Sequence, residues 1–210
     1  MVNRKQILAI VEEITRRIEL EKDFLTQLDN EIGDGDHGIN LSRGFRSVHE
    51  KLQSFADKDI GAILKGVGME LVSTVGGASG PLYGTAFMKA GNVCNGKSEL
   101  TDADIVTAFN AAVGGVQMRG KAVEGEKTML DALCPAFKTF KNDIDNGKSL
   151  IEAMTNAVAA AAKGVAFTKT IIATKGRAAY LGERSLGHQD PGATSSLYML
   201  ECALDVLKRD

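Results

Sequence analysis

Tryptophan is absent, proline occurs only three times in 210 residues, and aromatic residues make up 5% of the chain. So little proline, with no fixed glycine period, excludes a collagen-like chain or a proline-rich linker. The three cysteines, Cys94, Cys134 and Cys202, are an odd number, widely spaced, with no C-x-x-C pairing. They read as buried thiols of a reduced compartment, not as a zinc site or a disulfide framework. Neither sign of charge prevails: 25 Lys and Arg against 27 Asp and Glu leave a net charge of −2. No global field therefore recruits nucleic acid or an anionic membrane, and an anionic ligand has to be held by local groups. No uncharged stretch approaches the roughly 20 apolar residues of a membrane span. The start, Met1-Val2-Asn3-Arg4-Lys5, leads into charges on every turn instead of the apolar core of a signal peptide. The expected location is the cytoplasm.

What the chain has in excess is glycine, 23 residues, or about 11% against a typical ~7%. It also has helical periodicity almost throughout. Ile7, Val11, Ile14, Ile18 and Leu25 form one stripe, flanked by Glu12, Arg16, Arg17, Glu21 and Lys22, which predicts one long amphipathic helix. Further helices are expected near 38–53, 58–73, 80–94, 102–118, 129–142, 149–168 and 191–208. Their start signals are Thr101 before an acidic turn, a capping-box spacing of Thr128 and Asp131, and Asp190 before Pro191. The small residues of Ala157–Ala162 allow close helix packing. No strand run bounded by hairpin signals appears, and no repeat or linker divides the chain. The expectation is an all-α, single domain over 1–210. Glycines gather near 33–38, 76–84, 114–125 and 176–192, which are expected to be loops carrying most of the chemistry-capable residues.

Two nucleotide-like motifs fail on context. Gly91-Asn92-Val93-Cys94-Asn95-Gly96-Lys97-Ser98 fits the phosphate-loop pattern, but that loop must join a buried strand to a helix. Here a helix precedes it, and the next begins only near Thr101. Gly33-Asp34-Gly35-Asp36-His37-Gly38 fits G-x-G-x-x-G, again after a helix, and its two carboxylates would repel a pyrophosphate resting on bare amides. If phosphate binds there, a metal must intervene.

Asp29 ends the inward stripe of the first helix, and Asp34 and Asp36, two apart in a loop, can point to one side. Three converging carboxylates call for a hard cation. An EF-hand register fails, since counting from Asp34 puts Phe45 where the bidentate glutamate belongs. Magnesium is the better fit, because it usually shares ligands with phosphates. The bland alternative makes Asp36 a cap of the next helix and Asp29 the end of the first. Gly76-Gly77-Ala78-Ser79-Gly80-Pro81 offers bare amides and a helix start, so Ser79 could meet phosphate or simply cap its helix. Arg119-Gly120-Lys121 and Lys127-Thr128-Met129 bring cations and a soft side chain that reads more readily as core. Lys175-Gly176-Arg177 and the stretch from Arg184 to Gly192 are basic and glycine-punctuated. Arg177 could neutralise phosphate oxygens, while Asp190 reads as a cap and His188 as a structural or interface residue.

In order, Leu28 to Gly38, Gly76 to Leu82, Arg119-Gly120-Lys121 and Gly182-Glu183-Arg184-Ser185-Leu186-Gly187-His188-Gln189-Asp190-Pro191-Gly192 resemble the signatures of the ADP-binding L subunits of dihydroxyacetone kinases. The resemblance implies an antiparallel barrel of about eight helices with the nucleotide held by loops at its open end. It implies that Asp29, Asp34 and Asp36 hold two magnesium ions bridging ADP or ATP phosphates. It places His37, Asn40, Ala78, Ser79, Gly120, Met129, Arg177, Asp190 and Gly192 around the nucleotide, with Arg177 joining the three carboxylates in catalysis.

In the phosphotransferase-system form, the resemblance implies that a phosphohistidine on an M subunit recharges bound ADP. The phosphoryl group then passes to dihydroxyacetone on a K subunit. A homodimer or a K–L heterocomplex is the expected assembly, with no direct nucleic-acid or membrane partner. Two other readings stay open: an ATP-consuming kinase module with another acceptor, such as a fatty acid on a binding protein, and a nucleotide-sensing subunit without turnover.

Overall fold

The computed structural model describes residues 1–209. The helices are α1 Arg4–Leu20, α2 Lys22–Ile32, α3 His37–Lys51, α4 Ile60–Thr74, α5 Ser79–Val93, α6 Asp102–Gly120, α7 Leu130–Asp145, α8 Leu150–Thr168 and α9 Pro191–Lys208. Short 3-10 turns cover Leu52–Phe55 and Arg177–Ser185. The expected first helix is interrupted at Glu21, where ψ opens to 6°. The bonds Glu21 N to Arg17 O and Leu25 N to Glu21 O nevertheless carry the chain through. Val11, Ile14, Ile18 and Leu25 are all buried, so the stripe survives the break, and α1 with α2 forms one leg.

The legs alternate in direction and close on themselves. Packing runs α1 to α3, α4, α5, α6, α7, α8, α9 and back to α1, which is the expected antiparallel barrel of eight legs. Its core includes Leu41, Phe45, Ile63, Val67 and Leu71 on the α3–α4 side, and Ala132, Ala136, Phe140, Ala157 and Ala161 on the α7–α8 side. By length and composition α8 is apolar enough to cross a membrane; its Ala153, Ala157, Ala161 and Val165 face is packed into that core. Burial raises the Cys134 and Cys202 thiols to about 11 and about 12, so both are inert at neutral pH, and Cys94 is likewise free and buried.

One pairing has no sequence signal. Val2–Asn3 and Glu99–Leu100 form a two-residue antiparallel ladder, β1 and β2, with Val2 opposite Leu100. It lies at the closed end, where the chain also turns through 52–59, 94–101 and 146–149.

Several glycines expected in loops lie inside helices: Gly80 and Gly84 in α5, and Gly114, Gly115 and Gly120 in α6. A Cβ on Gly84 would lie 2.7 Å from Gly68 O, and one on Gly68 2.6 Å from Gly84 O. Gly61 and Gly91 repeat that reciprocal approach at 2.7 Å each way. Gly91 thus serves the α4–α5 contact. The rest of the phosphate-loop lookalike turns at the closed end, where Lys97 O accepts from Ile60 N at 2.8 Å.

Candidate nucleotide and metal site

The legs that run away from the open end are α3, α5, α7 and α9, so their N-termini lie there together. The cleft between them is lined by Asp36 and His37 of α3, Ala78 and Ser79 of α5, Met129 before α7, and Asp190 to Gly192 at α9. Backbone N–H groups at such starts have no partner inside the helix and carry its positive end. The α9 start is closed by Asp190, whose Oδ2 accepts from Ala193 N at 2.7 Å, with Pro191 in the first turn. The α3 start is served from another helix, since Asp29 Oδ2 accepts from Asp36 N at 2.8 Å and His37 N at 3.1 Å. Asp36 occupies the cap position but makes no side-chain cap bond; Asp29 does that work instead. At α5 the cap position is Ala78, with no side-chain acceptor. Ser79 Oγ reaches only Gly76 O, at 3.5 Å. The expected Thr128–Asp131 box is half formed: Asp131 accepts from Thr128 N at 2.7 Å, whereas Thr128 Oγ1 takes Leu130 N at 3.2 Å.

Asp29, Asp34 and Asp36 converge as expected, each offering a carboxylate oxygen within 4.8 Å of the others. Glycine makes this possible locally: a Cβ on Gly33 would strike Asp29 Oδ1 at 2.0 Å. Gly35 turns the chain at φ 73° against Asn30. Arg177 partly offsets the acidic charge, its Nη2 lying 2.8 Å from Asp34 Oδ2. The donor set suits magnesium: all oxygen, hard, and too few ligands for a closed cage, which leaves room for phosphate oxygens.

Beyond the acidic chamber, of about 170 Å³, lies a second of about 410 Å³ lined by Leu82, Val116, Gly120, Ala122, Met129 and Leu130. Ala78, Leu82, Thr128, Met129, Lys175 and Gly176 line both. One end of the cleft is therefore acidic and the other mainly apolar, with Arg119 and Lys175 also in its wall and room for a flat ring. Met129 is both core and cleft wall, being 5% exposed.

Asn40 is the sequence-selected residue that does not line the cleft. It is buried and accepts from Arg43 at 2.7 Å behind the Gly76–Gly77 turn. His37 touches the cleft, but its Nε2 lies 2.9 Å from Ser195 Oγ, and burial lowers the imidazole to about 4, so it is neutral. Ser195 also meets the Tyr83 hydroxyl at 2.7 Å, and that hydroxyl donates to Gly192 O at 3.1 Å. Asp190 is raised to about 7, chiefly by burial. His188 pairs with Glu31 at 2.9 Å, in keeping with a structural role. Sequence reasoning missed Tyr83, which binds α5 to α9, and the structural importance of Lys127, which is buried against backbone carbonyls.

The chain belongs to the DAK2 domain family, whose model matches residues 31–205. Within that family it is similar to the ADP-binding subunit DhaL of the PEP-dependent dihydroxyacetone kinase of Escherichia coli, with 48% identity and 86% of each chain covered. It is also similar to the PTS-dependent counterpart of Lactococcus lactis, with 40% identity over 91% of each. The dihydroxyacetone kinase of C. freundii, solved in native form and with AMP-PNP and Mg2+, matches at a TM-score of 0.74 and 25% identity. The match covers 95% of this chain and about a third of that longer one. The motif resemblance to the L subunit and the helical barrel it implied are thus borne out.

Proposed function

We propose that this chain is the nucleotide-carrying subunit of a PEP-dependent dihydroxyacetone kinase. In this reading it accepts a phosphoryl group from a phosphohistidine on an M subunit and passes it to dihydroxyacetone on a K subunit, giving dihydroxyacetone phosphate. The observation that carries the reading is the convergence of Asp29, Asp34 and Asp36 with the uncapped start of α5 on one cleft. The names of the similar bacterial subunits and the AMP-PNP complex of the C. freundii enzyme support it.

Asp29, Asp34 and Asp36 would hold two magnesium ions, which when bound offset the charge of the phosphates. The free N–H groups of Ser79 and Gly80 would receive phosphate oxygens at the positive end of α5. Arg177, 66% exposed and paired with Asp34, would turn its guanidinium to the transferred phosphoryl. Gly120 and Met129 would border the base, while Asp190 and Gly192 fix the α9 start beside the phosphates. His37 stays neutral and holds the α3 start through Ser195; Asn40 supports the Gly76–Gly77 turn from behind. No general base is needed from this chain, because positioning and charge stabilisation are its whole share of the work. A cytoplasmic location and a K–L heterocomplex or homodimer complete the reading.

The test is to identify by mass spectrometry the nucleotide that copurifies, then to measure transfer to dihydroxyacetone with a K subunit, fuelled by M-subunit phosphate or by free ATP. Retained ADP and dependence on the M subunit are expected. Rapid exchange with ATP as sole donor would replace the reading with an ATP-dependent kinase, and no transfer from either donor would leave a nucleotide sensor.

A further inference from the structure

We propose that Lys127 is a positioning residue whose ammonium ties both stems of the 169–189 strap to the loop before α7 and so holds Arg177 over the carboxylate cluster. The proposal rests on the nucleotide reading for its consequence, but not for its geometry. Residues 169–189 connect the end of α8 to the start of α9, and they carry Lys175 and Arg177 into the cleft wall.

An ammonium has three donors, and all three are used on carbonyls. Two lie on the entry stem, at Thr168 and, at 3.2 Å, Ile171. The third is His188 on the exit stem, at 2.6 Å. The side chain is 1% exposed, so its ammonium is turned inward to these carbonyls and away from solvent. The same neck is crossed by Gly187 N to Lys169 O at 2.8 Å and by Ala173 N to Ser185 Oγ at 2.9 Å. From the loop before α7, Glu126 O also accepts from Thr174 N at 3.3 Å, but among the described residues Lys127 is the side chain of that loop that bonds both stems at once. Its own backbone sits at φ 61°, a conformation costly for a side chain with a Cβ. A glycine would relieve that strain, yet it would forfeit the only group long enough to reach both stems. At the neck itself His188 pairs with Glu31 near the end of α2, and beyond it Arg177 meets the acidic loop at Asp34. The aim of Arg177 therefore depends on where the neck is held.

The experiment compares wild type with Lys127→Met by amide hydrogen exchange on nucleotide-free protein, and by the dissociation rate of Mg-ADP. Exchange in 169–189 is expected to rise about ten-fold or more while α4 and α5 keep their protection. Mg-ADP release is expected to quicken about ten-fold, and the Lys127→Met/Arg177→Ala double variant to release it no faster than Arg177→Ala alone. Faster exchange spread evenly over the barrel, unchanged exchange in the strap, or multiplying effects in the double variant would each overturn the proposal. If wild type holds no Mg-ADP, the nucleotide reading falls and the exchange pattern by itself decides whether the clamp exists. Should Lys127→Met fail to fold, Lys127→Gln is measured in its place. Failure of both would make the ammonium a stabiliser of the whole barrel and overturn the assignment.

Discussion

At the closed end of the barrel, α1, α4, α6 and α8 begin on Asn3, Asp59, Thr101 and Ser149, and each of those side chains accepts an N–H of the turn that follows. At the open end, α5 begins on Ala78, whose side chain accepts nothing, α3 depends on Asp29 from a neighbouring helix, and α7 is served by Thr128 one residue ahead of its cap position. The same orphan donors exist at both ends. Where they are satisfied internally they contribute to stability. Where they are left over, beside three converging carboxylates, they are available to a ligand. The comparison makes a sharp claim: damage at the closed end lowers stability and spares binding, and damage at the open end does the reverse.

The largest expected effect is on binding. Asp34→Asn or Asp36→Asn removes a charged oxygen donor, and Mg-ADP affinity measured by calorimetry should fall roughly a hundred-fold or more while the metal-free melting temperature holds. Undiminished affinity would break the comparison at its centre. Gly164→Ala tests the barrel wall between the ends. Its Cβ would lie 1.8 Å from Asp131 O, and denaturant titration should show a loss of about 2–3 kcal/mol.

Asp190→Asn probes the open-end start at α9, which is capped by the side chain of its own cap residue. Burial raises this carboxyl to about 7, so from the ordinary carboxylate range up to about pH 7 the folded chain keeps a proton that the unfolded chain has lost. Its contribution to stability therefore falls as pH rises through that window and levels off above it. Asparagine caps equally well and does not titrate. Melts at pH 4.5 and 7.5 should show the variant gaining about 2 kcal/mol on wild type between the two. An identical pH profile would remove the buried-carboxyl assignment. The smallest effect belongs to Thr101→Ala, which should cost about 1 kcal/mol and leave Mg-ADP affinity within error. A change in affinity there would mean that the two ends are coupled.

The helical legs were legible because their signals are local: a 3.6-residue period and, at Thr101 and Asp190, a cap with its partner three residues on. The acidic cluster was legible for the same reason, with Asp34 and Asp36 two residues apart and Asp29 at the near end of the preceding helix. The β1–β2 pair is two residues long, too short for any alternation to register. The 3-10 turn Arg177–Ser185 runs through Gly182 at φ 55°, and such a segment has no period to read. Glycine misled in a more instructive way. Gly84 is needed because α4 and α5 approach closely, and Gly115 packs against the Lys89 and Thr85 side chains of α5; neither sits where the chain turns, and composition looks the same in both cases. Lys127 could not be found at all, since its carbonyl partners lie 41 to 61 residues away in sequence.

The two reciprocal glycine contacts between α4 and α5 have a consequence for the cleft. Gly68–Gly84 and Gly61–Gly91 are seven residues apart on each helix, about 10 Å along the axis, so α5 rests on α4 at two bearing points. A rod held at two points cannot pivot. Its free tip, the bare amides of Ser79 and Gly80, is aimed from the far end as much as from the near one. A methyl group at Gly91, on the side of the molecule away from the carboxylates, would act as a shim and swing that tip. The alignment of the open-end amides is thus set partly at the opposite end of the barrel.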